Sequence, residues 1–235
     1  MTPAWPEGVA PFPDYREERP FTYNPPEGGP DIVHDDPLFF GVHKPAGLLS
    51  VPGKTETDSA LVRLRAEHRD ARLVHRLDLA TSGVMVFARS HRAQRHIGLQ
   101  FERRHVRKRY VALVWGEVRG SGVVDLPLRH DVERRPMQCV CEAHGKRAVT
   151  HWEAQETLEM QTGAVSRLVL TPETGRSHQL RAHCLAMGHP IVGDRLYAPD
   201  EAFRAAERLM LHAEELVLRH PEGGAEVSLR VETPF

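Results

Sequence analysis

The pattern of hydrophobic and polar positions changes character near residue 37. Before it, eight prolines (Pro3, Pro6, Pro11, Pro13, Pro20, Pro25, Pro26 and Pro30) interrupt a segment with little apolar periodicity. Residues 1–36 therefore read as an irregular extension, disordered or draped over the rest. Residues 37–235 read as a compact body. Leu38-Phe39-Phe40-Gly41-Val42-His43 predicts a strand that ends in a Lys-Pro-Ala-Gly turn. Thr57 or Asp58 is placed to cap a helix running to about His68, with Leu61 and Leu64 inward. The unbroken apolar run Val84-Met85-Val86-Phe87-Ala88 predicts a buried strand, and Ser90 a cap for a helix to about Arg104. Tyr110–Val118 is strongly β-like and stops at Gly120 and Gly122, with further strands expected around 137–142, 147–155 and 165–171. Ser177 is placed to cap a short helix carrying Gln179, Leu180, Arg181 and Leu185, ended by Gly188. Met210–Leu218 and Ala225–Val231 complete the set as strands. Strands outnumber helices and adjoin one another in sequence. That order predicts an α+β fold with a mixed sheet, not alternating βαβ units.

Composition adds two things to this picture. At 235 residues, 40% hydrophobic and 27% charged, the chain has an ordinary soluble composition. No apolar run approaches a membrane span, and no basic segment followed by an apolar one opens the chain, so a cytoplasmic protein is expected. Three cysteines, an odd number, give no disulfide framework. The net charge of −1 is unevenly spread: residues 1–36 hold eight acidic and two basic side chains, the remainder 29 basic and 24 acidic. Only four of the 31 basic residues are lysines. An arginine-rich body suits RNA, because guanidinium binds phosphate bidentately and stacks on bases; codon bias raises arginine content equally well. The cluster Arg103-Arg104-His105-Val106-Arg107-Lys108-Arg109, directly before Tyr110, is more informative, although a solvated face is the usual fate of such runs.

The most telling string is His75-Arg76-Leu77-Asp78-Leu79-Ala80-Thr81-Ser82-Gly83. An aspartate between two leucines sits in an apolar setting that alone raises its pKa. To stay ionised it needs a cation or several donors nearby, and Arg76, Thr81 and Ser82 are the local candidates. An isolated loop aspartate more often caps a turn; the whole string argues for chemistry.

The string closely resembles the signature of the RluA family of pseudouridine synthases, HRLD followed by TSG, with Asp78 on the catalytic position. His43-Lys44-Pro45-Ala46-Gly47-Leu48-Leu49-Ser50-Val51-Pro52-Gly53 resembles the family's first motif, and Lys108-Arg109-Tyr110-Val111-Ala112 its tyrosine segment. Thr174-Gly175-Arg176-Ser177-His178-Gln179-Leu180-Arg181, then His189-Pro190-Ile191-Val192-Gly193-Asp194, resemble the arginine motif and its sequel, and Leu209-Met210-Leu211-His212-Ala213 a late apolar motif. The segments occur in the family's order.

The resemblance implies the pseudouridine synthase fold, a long and largely antiparallel sheet with flanking helices and loops. It implies an isomerase acting on uridines of structured RNA. The reaction breaks the bond from N1 of uracil to C1′ of the ribose, turns the base and joins C5 to C1′. Nothing is oxidised or added, so no cofactor or metal is expected. One carboxylate suffices, either as nucleophile at C1′ or as a base at the ribose. By resemblance Asp78 is catalytic, and Arg181 pairs with it and keeps it ionised. Tyr110 packs on the flipped base and assists proton removal from C5, and Leu211 lines the uracil pocket. Arg76 fills the stack vacated by the nucleotide, a step required because a stacked base is out of reach. Lys44 contacts RNA or supports the fold. A surface arginine, a core tyrosine and a core leucine are the plain alternatives for Arg181, Tyr110 and Leu211. Cys139-Val-Cys141 lacks a second pair at zinc-site spacing, and His178 and His183 lie on different helix faces. Residues 1–36 are too short and proline-rich for the S4-type RNA-binding domain that many relatives carry. That absence, with the Gly-Leu-Leu-Ser-Val-Pro-Gly segment, resembles the member acting on uridine 32 of the tRNA anticodon loop and uridine 746 of 23S rRNA. The expected partner is thus a tRNA or 23S rRNA stem-loop, with no membrane and no obligatory protein partner. Two rivals are the same chemistry on another rRNA or tRNA uridine, and an RNA-binding factor without catalysis.

Overall fold

A computed structural model describes residues 19, 21–160 and 163–235. Most of the segment before residue 21 therefore lies outside the described residues. In chain order the elements are β1 (Asp31–Asp35), β2 (Phe39–Lys44), α1 (Ala60–Glu67), β3 (Arg72–Leu73), β4 (Ser82–Ala88), α2 (His91–Glu102), β5 (Arg107–Trp115) and β6 (Ser121–Asp125). They continue with β7 (Leu128–His130), β8 (Gln138–Val140), β9 (Val149–Met160), β10 (Gly163–Pro172), α3 (Gln179–Ala186), α4 (Asp200–Arg204), β11 (Leu211–Arg219) and β12 (Glu226–Arg230). The α+β class is as expected. The described residues form two compact units, one of residues 22–110 and 212–235, the other chiefly of 111–211. The chain passes between them within β5, after Tyr110, and within β11, after Leu211.

In the first unit the strands follow the order β1-β2-β4-β11, with β3 beside β4 and β12 beside β11. All pairs are antiparallel except β4 with β11. Why β4 lacks polar alternation is plain from its packing. Met85 and Phe87 join a cluster with Phe40, Val42, Leu48, Leu64 and Leu77, whereas Val84 and Val86 join one with Phe39, Ile97, Val106, Leu216 and Leu229. Both faces are covered, so both parities must be apolar. Each such side chain contributes about 1.5–3 kcal/mol by burial. Gly83 permits the parallel pairing: at φ +119° it lies against Ala213, whose carbonyl oxygen would be 2.2 Å from any Cβ.

Helix caps depart in part from the sequence reading. Ser90 caps α2 as expected, accepting from the Ala93 N–H. For α1 the cap is Ser59, not Thr57 or Asp58, with its hydroxyl accepting from the Val62 N–H. For α3 it is His178 in the left-handed region, with no side-chain cap, in place of Ser177. Residues 31–35, read as irregular, form edge strand β1 on β2. That strand is mostly exposed, so it carries no apolar alternation to read. Tyr23 is also anchored, its hydroxyl donating to the Asp58 carbonyl.

The second unit holds β5-β10-β9-β6, the small hairpin β7-β8 and helices α3 and α4. Leu128, Met137, Cys139, Val140, Leu185 and Tyr197 pack into its core.

Candidate active site

The loop bearing Asp78 is held by its main chain on both sides. On one side the buried Ser50 hydroxyl donates to the Leu77 carbonyl at 2.7 Å and accepts from the Leu77 N–H at 3.1 Å. Leu77 itself points into the core. On the other side Leu79 offers its carbonyl to the Gly47 N–H at 2.9 Å and to the Lys44 ammonium at 3.2 Å. Lys44 is 0% exposed, and its Nζ also donates to the carbonyls of Pro45 and Leu48 at 2.7 and 2.8 Å. An ammonium has three donors, and three carbonyls meet them. Lys44 therefore supports the fold and is too deep to contact RNA. The Thr81 N–H closes the turn on the Asp78 carbonyl at 3.1 Å. Asp78 itself is half-buried.

Around this loop Ser82 Oγ lies 2.8 Å from His212 Nδ1, and His212 Nε2 lies 3.1 Å from the Val231 carbonyl. A carbonyl can only accept, so Nε2 carries the proton and Nδ1 accepts from Ser82. Arg76 is exposed, and its side chain makes no hydrogen bond or ion pair among the described residues. Nothing there conflicts with an arm reaching into RNA. Tyr110 packs against the cluster of Phe40 and Leu77. Desolvation first, and the charge of Asp78 second, raise its pKa above the usual phenol range. Tyr110 and Asp78 thus share one electrostatic environment. The neutral phenol is the stable form, so taking a proton as phenolate is costly; packing and O–H donation are not.

The basic cluster 103–109 divides on folding. Arg107 is paired with Glu226 at 2.7 Å and Arg109 with Glu214 at 2.5 Å, while Arg103 and Arg104 stay exposed. Burial tends to raise the pKa of Glu214, but Arg109 and Arg230 outweigh it and hold the carboxylate below its usual range. Lys108 is half-buried, and desolvation, with Arg104 adding to it, lowers its pKa to about 8.

Arg181 and Leu211 belong to the other unit. Leu211 is buried at the start of β11. Arg181 is 5% exposed on α3 and makes a bidentate pair with Asp194, Nε to Oδ2 at 2.7 Å and an Nη to Oδ1 at 2.6 Å. Asp194 is fixed in turn by the N–H groups of Leu196 and Tyr197 at 2.9 and 3.1 Å. The guanidinium carbon sits 5.0 Å from the Tyr197 ring centroid. The two histidines flanking Arg181 are structural: His178 Nδ1 meets the Tyr197 hydroxyl at 3.0 Å, and His183 bridges Thr150 Oγ1 and the Leu126 carbonyl. Burial lowers the His183 pKa to about 4.

Sequence reasoning overlooked Ser50 and Asp194 as supports. Both stood inside recognised motifs, Ser50 as a lone hydroxyl in an apolar run and Asp194 as the carboxylate closing the Gly-Asp turn. Their partners lie 27 and 13 residues away, beyond any local pattern.

Comparison with known proteins gives consistent results. A family model described as RNA pseudouridylate synthase matches residues 39–186, a span that contains Arg76, Asp78, Tyr110 and Arg181. The dual-specificity RNA pseudouridine synthase RluA of Escherichia coli (strain K12) is 48% identical over 217 residues, 91% of this chain and 98% of that protein. Its counterpart in Vibrio vulnificus is 46% identical over 209 residues, 87% of this chain and 84% of that one. Among solved structures, human RNA pseudouridylate synthase domain containing 1 is similar with a TM-score of 0.74 and 31% identity, covering 87% of this chain and 84% of its own.

Proposed function

The chain belongs to the RNA pseudouridylate synthase family, and we propose that its targets are uridine 32 of the tRNA anticodon loop and uridine 746 of 23S rRNA. It is an RNA pseudouridine synthase. The choice of targets is supported by near full-length similarity to relatives named as dual-specificity enzymes, and by the Gly47–Gly53 segment. Acting on those RNAs places the protein in the cytoplasm.

The observation that carries the mechanism is the clamped loop: Asp78 is positioned through Leu77 and Leu79, next to a phenol that senses its charge. Asp78 attacks C1′ or removes a ribose proton, and the N1–C1′ bond breaks. Tyr110 offers its ring to the detached uracil. C5 then bonds to C1′ as the Asp78–C1′ bond breaks, or, on the elimination route, as Asp78 returns the ribose proton; C5 gives up its proton, N1 ends protonated, and the atoms balance. Arg181 is assigned to stabilise the Asp78 carboxylate. The support for that role is a buried guanidinium already oriented by Asp194. Leu211 is assigned to the wall of the uracil pocket, and Arg76 to the space left by the extruded nucleotide. Flipping costs a few kcal/mol, less from a flexible loop, so small hairpins are suitable substrates.

The test is pseudouridine mapping with purified protein on an isolated anticodon stem-loop, whole tRNA and a 23S fragment carrying the same loop. All three are expected to react at comparable rates. An inert stem-loop beside a reactive full-length RNA would overturn this specificity.

A further inference from the structure

We propose that the outer face of α2 and the turn after it form a docking strip for the phosphate backbone of the RNA stem, outside the reacting loop. The inference rests on the reading of the chain as an RNA-modifying enzyme and adds a second contact region to it. Three observations carry it.

The first is the geometry of α2. Ala93, Ile97 and Gln100 are its buried residues, spaced at 4 and 3 as one helix face requires. Arg92, Arg95 and Arg103 lie outside that face and are exposed, and Arg104 follows at once, exposed and at φ 61°. At 1.5 Å per residue, Arg92 to Arg103 spans about 16 Å, enough to meet several successive phosphates.

The second is the pattern of pairing. Four other arginines of this unit are matched to carboxylates, Arg63 to Asp58, Arg89 to Asp35, Arg107 to Glu226 and Arg109 to Glu214, whereas among the described residues Arg76 of the reactive loop, like the strip, is not. Among the described residues Arg92, Arg95, Arg103 and Arg104 make no side-chain hydrogen bond or ion pair. Glu102 is the one acidic side chain of α2. Four unneutralised guanidiniums in so short a stretch suit a polyanion, which gains by releasing condensed counterions.

The third is continuity with the reactive loop. Phe101 of α2 stacks on His75 at 4.5 Å between centroids, and His75 immediately precedes Arg76. Lys108 and Arg104 interact electrostatically beside it, so basic groups lead from Arg76 toward α2. Beyond Arg103 the strip ends at a cavity of ≈ 280 Å³ lined by His96, Leu99, Gln100, Arg103, His105 and Arg219. Arg103 and Arg219 both border it, although most of its exposed lining is apolar.

The experiment compares three proteins: the wild type, Arg92→Gln/Arg95→Gln/Arg103→Gln/Arg104→Gln, and a charge-matched control. The control, Arg119→Gln/Arg147→Gln/Arg167→Gln/Arg204→Gln, removes four arginines of the other unit, each paired with a carboxylate. Affinity for a labelled long-stem RNA hairpin is measured by fluorescence anisotropy across a potassium chloride series, with circular dichroism to verify folding. With about 0.7–0.9 counterions released per phosphate contact, loss of four contacts makes the log–log salt slope shallower by roughly 3. Low-salt affinity should fall at least about 10-fold in the strip variant and change little in the control. If the quadruple variant does not fold, Arg92→Gln/Arg95→Gln should show about half the slope change. An unchanged slope, or an equal loss in the control, would overturn the strip. Pseudouridine formed by the wild type on the same hairpin is scored separately. Product with an unchanged slope sinks only the strip; no product with a shallower slope sinks only the choice of target.

Discussion

The loop that carries Asp78 is held by bonds to its main chain, whereas Arg181 is held by bonds to its side chain. Ser50, Gly47 and Lys44 grip the peptide groups of Leu77 and Leu79, and none of those bonds uses the Asp78 carboxylate oxygens. Arg181 is instead gripped by its own guanidinium, through two bonds to a carboxylate that two backbone N–H groups hold in turn. Holding the loop by its peptide groups fixes where Asp78 stands without relying on its side chain. A guanidinium has five N–H donors, and the pair with Asp194 engages two of its nitrogens.

This contrast can be broken most sharply at Asp78 itself. Asp78→Asn should reduce turnover by on the order of a thousandfold or more, since the amide is neither nucleophile nor base. Its melting temperature should stay near that of the wild type, because the clamp survives and Arg181 retains Asp194. Substantial residual pseudouridine formation would remove Asp78 from the reaction. Asp194→Asn should behave in the opposite way, striking stability first. Breaking a buried ion pair typically costs about 3–5 kcal/mol, and turnover should fall as Arg181 loses its orientation. A urea midpoint equal to wild type would show that the pair does not hold α3.

Ser50→Ala sharpens the comparison from the backbone side. It leaves the buried N–H and carbonyl of Leu77 without their partner, a cost of about 1–3 kcal/mol. Loosening the loop should lower kcat more than it raises KM, and Ser50→Thr should restore part of the loss. Equal kcat in the alanine variant would mean that Leu79 alone fixes the loop.

A further expected effect concerns acid stability. Burial lowers His75 to about 3 and His183 to about 4, from an ordinary value of 6.5. Between those limits the unfolded chain binds more protons than the folded one, so stability falls as pH drops below 6.5. The slope is up to about 1.4 kcal/mol per pH unit for each histidine. The loss levels off for His183 near pH 4 and continues for His75 toward 3. His183→Gln should flatten the dependence of urea-unfolding free energy between pH 6.5 and 4. An unchanged slope would show that His183 is not the group that titrates.

What the linear sequence determined is whatever depends on neighbours along the chain. The apolar run of β4, the Ser90 cap and the string around Asp78 are local patterns, because strand period, helix period and capping act within a few residues. The family was legible for the same reason. Where local signals were degenerate, as at Thr57, Asp58 and Ser59, the cap fell one or two positions away. Exposed β1 gave no period to follow, and only its pairing with β2 made it a strand.

Tertiary structure alone decided which groups meet. Ser50 reaches Leu77 across 27 residues, and Gly83 needs its missing Cβ only because Ala213 lies against it. The arginine cluster was a uniform run of charge until folding set Arg107 on Glu226, Arg109 on Glu214 and left Arg103 and Arg104 exposed. Charge on a chain is a matter of composition. Whether that charge is already neutralised depends on distances of a few ångströms between residues far apart in sequence, and only the folded chain sets those distances.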